Sequence, residues 1–267
     1  MRNRIITLII GLFAILTISA KATVIVTYAE KAGSETSSIV NSSVLTFDNI
    51  ATGYHTSTND TALTWAGVGT FDNLNIVSAG PYGGANNTNY MVVGVDVNTK
   101  STLTLNTPSS YFGFWWSAGD KENVLDFYSG ANGTGNLVAQ FTTTNLLKTL
   151  PKSYYGNPNS GYNEGKDAGE PFAFINFFGT TDTSWKSIVI KNSLATGFEA
   201  DNFTSRVEAY NVNTDGTLPG VIFETINGTQ ESYIAQTPEP NVTIALLMFG
   251  GLNLGFPILQ KFKNYKK

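Results

Sequence analysis

The chain has 267 residues, 42% hydrophobic and 13% charged, with 16 Lys and Arg against 20 Asp and Glu. It has no cysteine and one histidine, which leaves no basis for disulfides, thiolate chemistry or zinc held by paired histidines. Between residues 23 and 237 nine basic residues face nineteen acids, and this strongly negative balance argues against nucleic acid or an anionic membrane surface as a partner.

Arg2 and Arg4 precede an apolar run over residues 5–18, and Ala20-Lys21-Ala22 is a small-x-small cleavage site. Residues 1–22 therefore read as a secretory signal helix, removed by signal peptidase so that the mature chain starts near Thr23. An uncleaved N-terminal anchor is the alternative.

From residue 23 to 236 short β-type segments alternate with Gly, Asn and Asp turns, and no helix is expected. Strands are expected over residues 44–47, 90–93 and 101–105. Residues 111–117, Tyr-Phe-Gly-Phe-Trp-Trp-Ser, carry aromatics on both faces and read as a central strand, with Trp115 and Trp116 buried and Gly113 leaving room for a close neighbour. Residues 124–128 and 137–142 are expected to join it as an antiparallel meander. The polar stretch 143–170 follows, 28 residues where ~4 to 6 are usual for a connection. Strands resume over 172–178, 185–190 and 197–203. The pattern predicts an all-β antiparallel sandwich over residues 23–220, with 221–237 an edge strand or a stalk.

The chain closes on Pro238-Glu239-Pro240, an apolar run over 242–259 and a tail containing Lys261, Lys263, Lys266 and Lys267. That run is 18 residues long, ~27 Å as a helix and just enough for a bilayer core, so a transmembrane helix is expected over 242–260. The lysines hold the tail on the cytoplasmic side, which places the preceding domain outside. Asn253 and Pro257 suit a transient span better than a permanent one.

This tripartite end resembles the PEP-CTERM sorting signal of bacterial surface proteins, although its basic residues are all lysines where arginines are usual. The resemblance implies recognition and cleavage by an integral-membrane exosortase, after which the domain passes from the inner membrane to the cell surface or extracellular matrix. An ordinary single-pass anchor is the alternative. The runs FGFWWSAGD from Phe112, VLDFYSG from Val124, YYGNP from Tyr154, EPFAFINFF from Glu170 and GFEADNF from Gly197 are also similar to a mainly cyanobacterial family of exosortase-dependent surface proteins. That likeness covers most of residues 44–203 and implies a jelly-roll-like sandwich without an assigned activity.

Three chemistries can be weighed on the residues. Glycoside hydrolysis needs two carboxylates, for which Glu164 or Glu170 with Asp126 or Glu122 are available, while the lone His55 sits in a turn and reads as a surface residue. Calcium takes carboxylate and carbonyl oxygens, and Asp48, Glu199 and Asp201, near the first and last strands of the sandwich, are candidate ligands for a structural ion. Tyr154, Tyr155 and Tyr162, set among Asn and Gly, could offer flat faces to a sugar ring. The expectation is an exported protein without catalytic activity. Its processing partners are signal peptidase and exosortase, and its further partner is extracellular polysaccharide. A carbohydrate-binding module is the alternative and a glycoside hydrolase the third reading.

Overall fold

The computed structural model describes residues 22–28, 31–57, 59–95, 99–180, 182–192, 194, 196–209, 218, 220–227 and 230–232. The expected signal helix, Pro238-Glu239-Pro240, the transmembrane helix over 242–260 and Lys261, Lys263, Lys266 and Lys267 lie outside these residues. Among the described residues no helix is long and apolar enough to cross a membrane.

The described residues form two antiparallel sheets. Along the larger sheet the order is β16 (Gln230–Ser232), β15 (Val221–Asn227), β1 (Thr23–Tyr28), β12 (Ala173–Gly179), β9 (Tyr111–Ser117), β14 (Phe198–Arg206), β7 (Tyr90–Val93), β6 (Leu74–Val77) and β3 (Gly53–His55). β2 (Ser43–Leu45) pairs with the far end of β14. The smaller sheet runs β11 (Leu137–Thr142), β10 (Asn123–Tyr128), β13 (Trp185–Asn192), β8 (Lys100–Ser109), β5 (Gly69–Phe71) and β4 (Thr64–Trp65). The 221–227 segment is thus a strand of the larger sheet, paired with β1.

The alternation of each strand fills the space between the sheets. Phe112, Phe114 and Trp116 of β9, Ile175 and Phe177 of β12, and Phe198 and Ala200 of β14 meet Leu103 of β8, Phe127 of β10, Phe141 of β11 and Ile188 of β13 in one apolar cluster. Phe127 stands 4.8 Å from Trp185 and 5.0 Å from Phe177, ring centre to ring centre, so aromatic packing ties the two layers together. A bulge in β14 between Asp201 and Thr204, with Asn202 at a φ of 49°, resets the alternation so that Phe203 also points inward.

The expected meander is corrected. β9 pairs with β12 and β14 in the larger sheet, whereas β10 pairs with β11 and β13 in the smaller one. The 118–122 connection carries the chain across the sandwich, helped by Ala118 at a φ of 42° and by Gly119 N–H donating to Pro171 O at 3.0 Å. The long polar stretch also departs from a bare loop. It holds a short α-helix, α1 (Leu146–Thr149), and a 3-10 turn over Lys152–Tyr154, where no helix was expected, because Leu146, Leu150 and Tyr154 anchor this segment in the apolar cluster.

The larger sheet is buried on its outer face too. Trp115, Phe172 and Phe174 pack with Ala85 and Ala118 in a second cluster, beneath loops that include residues 79–89 and 156–171. Asparagine side chains lace those loops: Asn157 Nδ2 donates to Pro81 O at 3.1 Å, Asn159 Nδ2 to Gly84 O at 2.6 Å and Asn163 Nδ2 to Asn87 Oδ1 at 3.0 Å. Both tryptophans of β9 are therefore buried, Trp116 between the sheets and Trp115 under the loops.

Candidate functional site

The polar chemistry of the molecule concentrates on this covered outer face. In β14 the residues Phe198 and Ala200 point to the sandwich interior, so Glu199 and Asp201 project outward, under the loops, with relative exposures of 6% and 0%. Carboxylates this buried are retained only where something compensates for their lost hydration. The two acids solve that problem differently.

Asp201 is satisfied by the backbone. Its Oδ2 accepts from Ala85 N–H at 2.9 Å and its Oδ1 from Asn202 N–H at 2.7 Å. Burial still pushes its carboxyl up to about 8, those two N–H groups acting against the shift and the charges of Asp48 and Glu35 adding to it. Glu35 is drawn into the same neighbourhood: its Oε2 accepts from Asn86 N–H at 2.9 Å and its carbonyl from Asn202 Nδ2 at 2.8 Å.

Glu199 is less well served. It lies opposite Ser117 in the register of β14 and β9. Its Oε1 occupies the space beside Gly197, where an added Cβ would come within 2.0 Å. Its Oε2 has no hydrogen-bond partner, and neither have Ser117 Oγ and Asp167 Oδ2, all three buried. An orphaned buried acceptor costs about 1–3 kcal/mol, so three in one neighbourhood call for an explanation.

The groups around Glu199 are acids. Burial lifts its carboxyl well above the usual range, and the charges of Asp120, Glu170 and Asp167 lift it further. Glu170 is pushed up to about 8 by burial, by its hydrogen bond with Asp167 and by the charge of Asp120. Asp120 is raised chiefly by burial. The Gly119 to Pro171 hydrogen bond explains the meeting, since it clamps the β9–β10 connection to the end of the long loop. The neighbouring cations are engaged elsewhere: Lys121 Nζ lies 3.5 Å from Glu122, and Lys166 Nζ sits 4.9 Å from the centre of the Tyr162 ring.

The comparisons with known proteins add no relative. The chain matches no family model, no curated protein and no solved structure.

The residues singled out from sequence are distributed over the molecule. Of the calcium set Asp48, Glu199 and Asp201, the structure leaves Asp48 exposed, turns Asp201 toward Ala85 and Asn202, and turns Glu199 toward a different group of acids. Among the described residues no three His, Cys, Asp or Glu side chains stand together as a ready metal centre. Of the tyrosines, Tyr154 is buried edge-on against Tyr28 with ring centres 5.3 Å apart, so it offers no face to a sugar. Tyr155 is half-buried with its hydroxyl donating to Leu147 O at 3.2 Å, and Tyr162 alone of the three is exposed, at 84%. Asp126 is taken up by Lys191 and by Gln140 Nε2 at 2.8 Å. His55, expected at the surface in a turn, instead ends β3 and is half-buried, its Nδ1 2.6 Å from Asp60 Oδ2 and its Nε2 2.8 Å from Ala51 O.

Sequence reasoning overlooked Ser117, Asp120 and Asp167. The alternation Phe198-Glu199-Ala200-Asp201 inside an aromatic-rich run did signal two acids on one strand face, but nothing in the sequence says that this face is roofed.

Proposed function

We propose that the chain is an exported protein of the cell surface or extracellular matrix, without catalytic activity, delivered by its N-terminal signal and sorted by an exosortase through Pro238-Glu239-Pro240. One observation carries this reading: the sandwich fits between the two expected processing points. β1 begins at Thr23, where cleavage after Ala22 would start the mature chain, and the last described strand, β16, ends at Ser232, six residues before Pro238. Cutting at either point removes no described strand.

The strand order supports a jelly roll within that domain. From β7 to β14 the chain changes layer at every step except the β10–β11 hairpin, giving β7-β14-β9-β12 in one and β8-β13-β10-β11 in the other. β1, β15 and β16 extend the first of these. Within this body Glu199 and Asp201 lie under loops, Asp126 pairs with Lys191 and Asp48 is exposed.

Fractionation of the native cell tests the proposal. In cells with exosortase activity the protein is expected at the surface or in the matrix; in cells lacking it, in the inner membrane. The same distribution in both would contradict it. A second reading, a carbohydrate-binding module, draws on Tyr162 at 84% and Tyr82 at 55% exposure, each on one of the two Asn-laced loops.

A further inference from the structure

Ser117 Oγ and Glu199 Oε2 are fixed on neighbouring strands, directly opposite each other, both buried and both without a partner. Their surroundings restrict what could satisfy them. Gly83 closes over Ser117, since a Cβ there would stand 2.8 Å from Ser117 Oγ and 2.7 Å from the Tyr90 ring. The charges of Asp120 of the β9–β10 connection and of Asp167 and Glu170 of the long loop act on Glu199, and the Gly119 to Pro171 hydrogen bond holds those two segments together. Asp167 brings a third buried, unpartnered oxygen. The Lys121 and Lys166 ammonium groups are turned to Glu122 and Tyr162, so the missing counter-charge does not come from them.

Oxygen donors of this kind, a hydroxyl and several carboxylates with no nitrogen or sulfur, match a hard divalent cation of calcium's size. Among the described residues no three acids stand ready as ligands, so binding an ion here requires the loop carboxylates to draw in toward the strand residues. We propose that Glu199 and Ser117, with carboxylates supplied by Asp167 and Glu170, bind a calcium ion that pins the 156–171 loop onto the larger sheet. Asp201 takes no part, because backbone N–H groups already occupy both its oxygens. Asp48 is exposed and acts on Asp201.

The test is thermal unfolding of the full chain in detergent, with calcium chloride, magnesium chloride or EGTA. Calcium about a hundredfold above its Kd is expected to raise the Tm by roughly 5–10 °C, with magnesium giving less. The Glu199→Gln variant keeps the shape of the side chain and removes its charge, and is expected to lose that shift. Should Glu199→Gln fail to fold, Ser117→Ala serves, with the calcium concentration for half the shift expected to rise at least tenfold. Terbium luminescence excited through tryptophan gives a second readout, expected in the native chain and reversed by calcium. No calcium-dependent Tm shift in the native chain overturns the proposal, as does an equal shift in Glu199→Gln.

Discussion

The Tyr111 hydroxyl donates to Asn176 Oδ1 at 2.8 Å by reaching across Gly113, which sits directly opposite Asn176 in the register of β9 and β12. A Cβ on Gly113 would stand 2.7 Å from that hydroxyl and 2.8 Å from the Phe174 ring. The Gly113→Ala substitution therefore drives a methyl into a filled layer. A loss of about 1–3 kcal/mol is expected in denaturant unfolding, with the lost Tyr111 to Asn176 bond contributing part of it.

Trp116 and Asn123 form the corresponding link on the inner side. Trp116 Nε1 donates to Asn123 Oδ1 at 2.7 Å, and Asn123 Nδ2 donates to Gly197 O at 2.8 Å, so one amide joins β9, β10 and the start of β14. Asn123→Ala orphans the indole N–H, while Gly197 O keeps Asn192 Nδ2 at 2.6 Å. The expected cost is about 1–3 kcal/mol, read from the urea midpoint.

The tyrosines give a contrast between neighbours in sequence. Tyr154→Ala empties a site in the main core and is expected to cost about 3–5 kcal/mol, whereas Tyr162→Ala, at an exposed tip, is expected to change stability by less than about 0.5 kcal/mol. Equal effects would show that the 151–171 stretch is not seated as described. If the carbohydrate-binding reading holds, Tyr162→Ala weakens retention on polysaccharide while the fold is untouched.

The same stretch shows how far the sequence was legible. Every strand expected from residue 90 onward exists, because short β-branched and aromatic runs bounded by Gly and Asn leave the backbone few alternatives. The meander was misassigned because pairing partners depend on which layer a turn leads to, and the β9–β10 connection is held in part by the distant Pro171 carbonyl. The acids of the site were visible singly. Their convergence was not, since Ser117, Asp120, Glu170 and Glu199 are joined through register and one long-range hydrogen bond, neither of which leaves a local pattern. Tyr154 among Asn and Gly looked like a surface residue, yet Leu146 and Leu150 before it carry that segment into the core.

His55 and Asp60 give a pH window. Burial lowers the His55 pKa, but its hydrogen bonds to Ala51 O and Asp60 outweigh this and leave it raised, while that of Asp60 is lowered chiefly by the bond to His55. The histidine contribution is full below its unfolded value, about 6.5, and is lost as pH rises through the folded pKa; the aspartate contribution is present above about 4 and is lost as pH falls through its lowered folded pKa. The pair is thus expected to stabilise most between about pH 4 and 6.5. Unfolding midpoints of the native chain and His55→Gln across pH 4 to 9 check this, with the difference narrowing at the alkaline end.

The intact mass of the protein isolated from the surface or matrix of its native cell tests the central claim most directly. The expected mass corresponds to a chain that starts near Thr23 and ends close to Pro238-Glu239-Pro240, with the apolar segment and its lysines removed. A mass that retains the residues through Lys267 would contradict sorting by exosortase, and one that also retains residues 1–22 would contradict the export route itself.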